Sequence, residues 1–545
     1  MWRGINHDLS GMVYLQGNDR YQSRISTHCL DETIAADNPV RVIDAFVDSL
    51  PLKDFGFRMD YGENGRPAYH PADLLKLYIY GYQNRIRTSR TLEAECKRNI
   101  ELFWLLKELR PDHNTINRFR KDNTDAIRQV FRATVKTAQN LNLIGGTLLA
   151  GDSTKLRAQN SKKNNYNREK IKRHMEYIDR KLDEYNQHLA QADVEDEHDD
   201  TSQDVDRDQI NKDIEKHTRQ RKRYEQLQQQ LDQSAQDQIS TSDPDSRQMI
   251  IRGQITEVAY NVQSMVDEKH KFPIDYQVTN HNDSKAMGAM LENAVEILGH
   301  HDFTALFDKG YHTTSEFLKA EKLQVEVMVA IPGTSAHAPH TGFDLEHFVY
   351  NPKKDHYTCP MGRVLRSNGN WYQNQSKTGR FKQYKTTACK RCILNTACTK
   401  SRNGRILQRN EFSHLTEKNK ARILENPILY KQRQAIVEHP FGTMKRQWGF
   451  DHVLTKKFIQ HAAADVGLVF VAYNLKRLMA LASPEALKAA FGVLFTLFLA
   501  RFWPGKAPDG HTYAIFNKLK TLPDFCAYLF SRQQRPILHP VRWGL

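Results

Sequence analysis

A chain of 545 residues has room for three or four domains of about 150 residues each. Its 39% hydrophobic residues and mean hydropathy of −0.68 describe a polar chain that still buries a core. Lys and Arg number 79 against 64 Asp and Glu, a formal +15 at pH 7, and nine acids with one base between Asp193 and Asp208 leave that short segment at −8 and the rest of the chain at +23. A surface of that sign calls for a polyanionic partner, nucleic acid first. The longest apolar run, AFGVLFTLFLA at 490–500, is 11 residues long, short of the ~20 that span a bilayer. No basic start followed by an apolar block opens the chain, so neither a membrane protein nor a secretory signal is expected. Four of the seven Cys fall between 359 and 398, which suits a reducing cytosol with one metal site better than a disulfide framework.

Residues 1–60 are mixed, and 61–70 read as a loop. From Pro71 the pattern is helical, with Leu74, Leu75, Leu77, Tyr78 and Tyr82 on one face of Pro71–Gln83. Thr88 or Ser89 caps a second helix carrying Leu92 and Cys96. Residues 100–109 form a third helix, ended by Arg110-Pro111. Asp112 caps a fourth over 113–121, with Ile116 and Phe119 on one side and Arg118, Arg120 and Lys121 on or near the polar side. Short helices bearing Arg85, Arg87, Arg90, Arg118 and Arg120 suit DNA docking of the helix-turn-helix sort; the competing reading is solvated arginine on an ordinary helical domain. Residues 1–140 are therefore expected to be a helical N-terminal DNA-binding domain.

Residues 141–480 read as an α/β domain. A short strand at 148–150 delivers Asp152 at its end, followed by the basic Lys155 and Arg157. Ile171, Met175, Ile178, Leu182, Tyr185 and Leu189 then form a heptad seam. Ile210, Ile214, His217, Arg221, Tyr224 and Leu231 continue it less well, with Gln at 228. The spacing predicts an antiparallel helical hairpin inserted at 160–250, with a solvated acidic turn. Two strands at 258–266 and 273–280 form a β-hairpin. A helix over 284–298, a strand over 303–307 ending at Asp308, a helix over 314–323 and a strand over 325–331 follow. The order predicts a mixed sheet flanked by helices. A second insertion, 335–410, holds the clustered cysteines, and 481–545 is a helical tail with a basic terminus.

Two constellations carry chemistry. Asp152 and Asp308 stand at the ends of apolar strands, and Glu438 lies on a helix whose other face is apolar (Ile436, Val437, Phe441, Met444). Three converging carboxylates hold hard divalent cations, and two such ions clamp an in-line phosphoryl displacement; turn or helix caps are the alternative. The second is Cys359, Cys389, Cys392 and Cys398, spaced C-x29-C-x2-C-x5-C, the ligand number of a structural Zn²⁺ site. An iron–sulfur cluster or four reduced thiols are the alternatives. Lys385, Lys390, Arg391, Lys400, Arg402 and Arg405 surround these cysteines. His439 is either a proton shuttle or a packed histidine.

Five segments carry a family resemblance. Residues 65–123 (GRPAYHPADLLKLYIYGYQ through NTINRFRKDN) closely resemble the helical N-terminal domain of bacterial insertion-sequence transposases. GDSTKLRAQNSKKNNYN (151–167), ALFDKGYH (305–312) and RQAIVEHPFGTMKRQWGF (433–450) resemble the three acidic motifs of these enzymes, and AYNVQSMVDEKHKFPIDYQVTNHND (259–283) their second and third strands. The group resembled is insertion-sequence family 1182, among DDE transposases with a ribonuclease-H-like core. The resemblance implies that Asp152, Asp308 and Glu438 bind two Mg²⁺ or Mn²⁺ ions. It implies DNA cleavage and strand transfer at the terminal inverted repeats of a mobile element, by a homodimer or higher assembly on double-stranded DNA, in the cytoplasm at the nucleoid. It aligns Tyr430, Arg433 and Lys445 with a Tyr, Arg, Glu, Lys signature, here with four residues between Arg and Glu where three are usual. Asn280 and Asp283 either approach the site or cap a loop. The alternative functions are a catalytically silent, transposase-derived DNA-binding protein and a metal-dependent nuclease without strand transfer.

Overall fold

The computed structural model describes residues 5–7, 13–15, 29–59, 67–196, 207–234, 236–333, 338–374 and 378–492. Much of the loop at 61–70, most of the acidic turn and most of the C-terminal tail, with its apolar run from 493 on, lie outside the described residues. A short ribbon of β1 (Ile5–His7) and β2 (Val13–Leu15) precedes the helices.

Helices start where the sequence supplies caps. After α1 (Val40–Asp48), α2 (Pro71–Gln83) begins with Pro71 in its first turn, where a missing N–H costs nothing. Thr88 Oγ1 accepts from Thr91 N at 3.1 Å to open α3 (Ser89–Glu95). Asn99 caps α4 (Ile100–Leu105), shorter than expected because Lys107 and Glu108 take positive φ. Asp112 Oδ1 accepts from Asn114 N at 2.8 Å and Thr115 N at 3.1 Å to open α5 (His113–Asp122). α6 (Thr124–Asn140) follows.

The strand carrying Asp152, β3 (Leu148–Arg157), is longer than expected. Its second half, Asp152 to Arg157, is polar, yet it pairs residue by residue with β7 (Ile255–Asp267), Asp152 lying opposite Ser264. Asp152 therefore sits inside a strand and not at its end. The tiny strands β4 (Asn165–Asn167) and β5 (Gln238–Ser240) pair at the foot of the helical hairpin, α7 (Arg168–Asp196) and α8 (Arg207–Gln233). Tyr166, Ile171, Leu227 and Leu231 are buried there. Leu227 fills the seam where the heptad count placed Gln228.

The main sheet has six strands: β10 (Glu326–Val329), β9 (Thr304–Phe307), β3, β7 and β6 (Arg247–Arg252) in that order, with β8 (Pro273–Thr279) also paired to β7. β9 and β10 run parallel to β3. β6 and β8 run antiparallel to β7. α9 (Met287–Leu298) and α10 (Thr314–Lys322) connect β8 to β9 and β9 to β10. The cysteine insertion is a second small sheet, β11 (Val349–Asn351), β12 (His356–Thr358), β13 (Val364–Ser367), β14 (Tyr372–Gln373), β15 (Arg380–Lys385) and β16 (Leu407–Asn410), with α11 (Asn395–Cys398) beside it. Phe348, Tyr357, Leu365, Tyr384 and Leu407 form its own core.

Three helices finish the described chain: α12 (Ser413–Glu425), α13 (Pro427–Gly442) and α14 (Ile459–Leu481). Asn419 of α12 bonds both the N–H and the C=O of Val329 at 2.8 Å, which blunts the open edge of β10. α14 is buried almost all round because it lies against α2, α5, α6 and β8 at once. One hydrophobic core thus runs from the N-terminal helices through α14 to the sheet, and the expected boundary near residue 140 separates no cores.

Candidate active site

β3 and β9 are neighbouring parallel strands with Leu148 opposite Thr304, Leu149 opposite Ala305 and Ala150 opposite Leu306. The same offset carries Asp152 to the level of Asp308, which follows β9 directly. Ala150 and Leu306 both face the cluster formed with Ile436 and Val437 of α13. With a two-residue repeat along strands, Asp152 and Asp308 point to that same face. Gly151 faces the other way, where a Cβ would stand 2.1 Å from the Phe307 ring. Asp308 caps the 3-10 turn Lys309–Tyr311, its Oδ1 accepting from Gly310 N at 2.7 Å.

Asp152 Oδ1 accepts from Ser153 N at 2.8 Å, and its Oδ2 lies 3.3 Å from Arg433 Nη1. Burial pushes the Asp152 carboxyl above the usual carboxylate range; Arg433 works in the opposite sense, and the charges of Asp308 and Asp283 add to the rise. The site is therefore an acid pair partly offset by one guanidinium. Tyr430, on the same helix, donates from its hydroxyl to Phe307 O at 3.0 Å, tying α13 to the end of β9.

Glu438 stands differently. It is exposed, and its carboxylate accepts from Gln434 Nε2 at 2.7 Å, one turn back on α13. It lies five positions after Arg433, about 140° around the helix. The structure brings Asp152 and Asp308 together and leaves Glu438 outside the pair. Lys445 lies beyond Pro440, in a wide helical turn at Thr443–Gln447, so helical phase counted from Glu438 does not reach it. Its ammonium bonds Thr154 Oγ1 at 2.8 Å and Lys155 O at 3.1 Å on β3, and burial lowers its pKa. His439 is exposed, with its Nδ1 2.7 Å from the Tyr473 hydroxyl, and partial burial of the ring lowers its pKa.

The expected DNA-contacting residues divide. Arg90 and Arg118 are exposed on α3 and α5. Arg157 is half-exposed and paired with Asp451 at 2.6 Å. Lys155 is paired with Asp283 at 3.2 Å. Arg87 bonds the carbonyls of Gly449 and His452 and lies over the Phe450 ring. Arg120 is a correction: it is buried against α14 and bonds Asp465 at 2.7 Å and the Tyr82 hydroxyl at 3.1 Å. Its partner is 345 residues away in the chain, so no local pattern signals the pair.

Asn280 donates to Asp245 O at 3.0 Å, a loop contact. Asp283, in contrast, meets Lys155, Asn261 and Gln263 behind the acid pair, and the signal for it was the last two, polar residues in the run of buried strand β7.

Oxygen ligands suit a hard cation, and Asp152 and Asp308 supply two on one face. Cys359, Cys389, Cys392 and Cys398 line a single cavity together with Phe348 and Arg405. Gly362 N donates to Cys359 O at 2.8 Å, closing the Cys-Pro-Met-Gly turn, and a Cβ at Gly404 would lie 2.4 Å from Cys389 Cβ. Even so, no group of three or more His, Cys, Asp or Glu side chains is arranged to hold a metal ion among the described residues. No helix of the described residues is long and apolar enough to cross a membrane.

Two family models match the chain. One, described as a transposase domain (DUF772), matches residues 28–122, the helical segment through α5. The other, described as a transposase DDE domain, matches residues 358–479, from Cys359's turn through α13 and most of α14. No curated protein matches the chain. The two matches support a transposase of the DDE kind, and they flank the strands that carry Asp152 and Asp308.

Proposed function

We propose that this protein is an insertion-sequence DDE transposase, of the kind represented by insertion-sequence family 1182, that cuts DNA at the terminal inverted repeats of its element and joins the freed ends to a target. The observation that carries the reading is the acid pair: Asp152 and Asp308 level with each other on adjacent parallel strands, facing α13. The strand order supports a ribonuclease-H-like core, three antiparallel strands (β3, β7, β8) continued by two parallel ones (β9, β10).

In the proposed reaction a water attacks a phosphodiester phosphorus, the bond to the 3′-oxygen breaks, and that oxygen leaves as a 3′-OH. The 3′-OH then attacks a target phosphodiester, whose own 3′-oxygen leaves. Asp152 and Asp308 would hold the divalent cations, Mg²⁺ or Mn²⁺, with Glu438 as third carboxylate once its bond to Gln434 is exchanged. Bound there, such ions supply Lewis-acid polarisation of the phosphoryl oxygens and a more acidic attacking water. Arg433 orients Asp152. Lys445, held at β3 on the same side as Asp152, contributes positive charge toward the phosphate as negative charge develops. The test is nicking of supercoiled plasmid carrying the gene's flanking DNA: cation-dependent cuts by wild type support the reading, and none in Mg²⁺ or Mn²⁺ contradict it.

DNA docks in this reading through the exposed arginines of the helical segment, Arg90 and Arg118, and the basic rim of the cysteine module. Binding should then be largely electrostatic. Affinity is expected to fall about 10³-fold or more between 50 and 200 mM salt, the response of a protein neutralising at least about six phosphates. A titration by fluorescence anisotropy with a flat salt response would remove the basic surface as the docking face.

The four cysteines are proposed to bind one structural Zn²⁺. The donor set suits zinc, and a module whose buried core is five residues gains most from such a staple. Metal analysis of reduced protein is expected to give about one zinc per chain, lowered in Cys392→Ser. Zinc-free wild type with a fully formed module would remove the assignment.

A further inference from the structure

Behind the acid pair lies a polar cluster that the proposed reaction does not use. Asn261 and Gln263 are fully buried on β7, the central strand position where apolar residues usually belong. Both donate to one carboxylate oxygen, each amide nitrogen standing 2.7 Å from Asp283 Oδ1. The other oxygen, Oδ2, lies 3.2 Å from Lys155 Nζ, and the same ammonium donates to Ser153 Oγ at 3.0 Å. Gln263 Oε1 in turn accepts from the Tyr311 hydroxyl.

The ends of this chain of bonds matter. Tyr311 closes the turn Lys309–Tyr311 that Asp308 caps. Lys155 stands three residues after Asp152 on β3. Asn261 spends its second N–H on His281 O at 3.0 Å, so its Oδ1 is left buried without a partner. An unpaired buried acceptor is a net cost, and it is retained here by an amide turned toward Asp283. Gly310 gives an independent sign. A Cβ at Gly310 would lie 2.9 Å from Asp308 Oδ1 and 3.3 Å from Asp283 Oδ2, so a side chain there would press on both carboxylates.

We propose that Asp283 is a positioning residue for the Asp152–Asp308 pair. Through Tyr311, Gln263 and Lys155 it joins the turn that carries Asp308 to the strand that carries Asp152, and so sets the separation of the two carboxylates. Lys155 then serves the site from behind and is not a DNA contact. The inference rests on the reading that the pair binds a divalent cation during phosphoryl transfer.

The test is Mn²⁺ binding to the purified full chain, followed by electron paramagnetic resonance, for wild type, Asp283→Ala, Asp283→Asn and Gly310→Ala. Asp283→Ala and Gly310→Ala are expected to bind Mn²⁺ at least about tenfold more weakly, the usual loss when a group behind the ligands is removed. The Mn²⁺ midpoint for DNA cleavage should move by the same factor, with cleavage restored at high Mn²⁺. DNA affinity in EDTA and the circular dichroism spectrum should not change. Asp283→Asn, which still accepts from Asn261 and Gln263, should fall between. Wild-type Mn²⁺ affinity in both Asp283→Ala and Gly310→Ala overturns the positioning role. Joint loss of Mn²⁺ binding, DNA binding and helical signal in both also overturns it, since the cluster is then only structural. A wild-type chain that binds no Mn²⁺ overturns instead the functional reading beneath it.

Discussion

Asp308→Asn is expected to lower DNA cleavage at least about a thousandfold, a loss of ~4 kcal/mol of transition-state stabilisation, with DNA affinity unchanged. The substitution is a narrow one. Asparagine at 308 still offers Oδ1 to Gly310 N, which Asp308 holds at 2.7 Å, so the turn Lys309–Tyr311 keeps its cap. What disappears is the charge beside Asp152. Glu438→Gln makes a complementary probe, because Glu438 is exposed and bonded to Gln434 of its own helix. Its loss leaves the fold alone, so a collapse of cleavage would report chemistry. Plasmid cleavage beside an anisotropy titration on the same preparation separates the two effects, and wild-type cleavage by Asp308→Asn would remove Asp308 from the reaction.

The second large effect is on stability. Asp465→Ala is expected to destabilise the protein by about 3–5 kcal/mol, as measured by denaturant unfolding, because it leaves a buried charge without its partner. Arg120 is 3% exposed and Asp465 0%. Asp465 also accepts from the Tyr82 hydroxyl and, through Oδ2, from Leu454 N at 2.8 Å. One carboxylate thus ties α2 and α5 to α14 and to the segment that follows Lys445. Arg87 grips the same segment at Gly449 and His452. Replacing both partners, as Arg120→Met with Asp465→Leu, is expected to cost much less, since no charge is then stranded. Arg118→Ala is the contrast: two residues from Arg120 on the opposite, exposed side of α5, it should weaken DNA binding and leave stability alone. Equal, small losses of stability for Asp465→Ala and Arg118→Ala would contradict the buried pair.

Local chemistry made the helical segment readable. Pro71, Thr88 and Asp112 announce helix starts by their own backbone and side-chain preferences, and the structure begins α2, α3 and α5 there. The strands holding Asp152 and Asp308 were legible from their apolar runs, but the polar half of β3 was not. Ser153, Thr154 and Lys155 look like a loop until β7, a hundred residues later, pairs with them. The same holds for Arg247–Arg252 and for the six short strands of the cysteine module, where pairing and not composition makes the strand. Arg120 read as a surface base because its partner Asp465 belongs to another helix. Asp283 stayed open between the site and a loop cap because the residues that need it, Asn261, Gln263 and Lys155, come from two other strands. Lys445 belongs to the aligned signature, but the turn after Pro440 that takes it to β3 has no signal in the local sequence.

The most direct measurement maps the ends that purified protein makes, in Mg²⁺ or Mn²⁺, on a plasmid carrying the gene with its flanking DNA, beside Asp152→Ala. If the acid pair catalyses transposition, cuts appear at the element boundaries and leave 3′-OH ends, those ends join to target DNA, and neither product forms with Asp152→Ala. Specific binding of the ends with no cut by wild type, or equal cutting by Asp152→Ala, would contradict it.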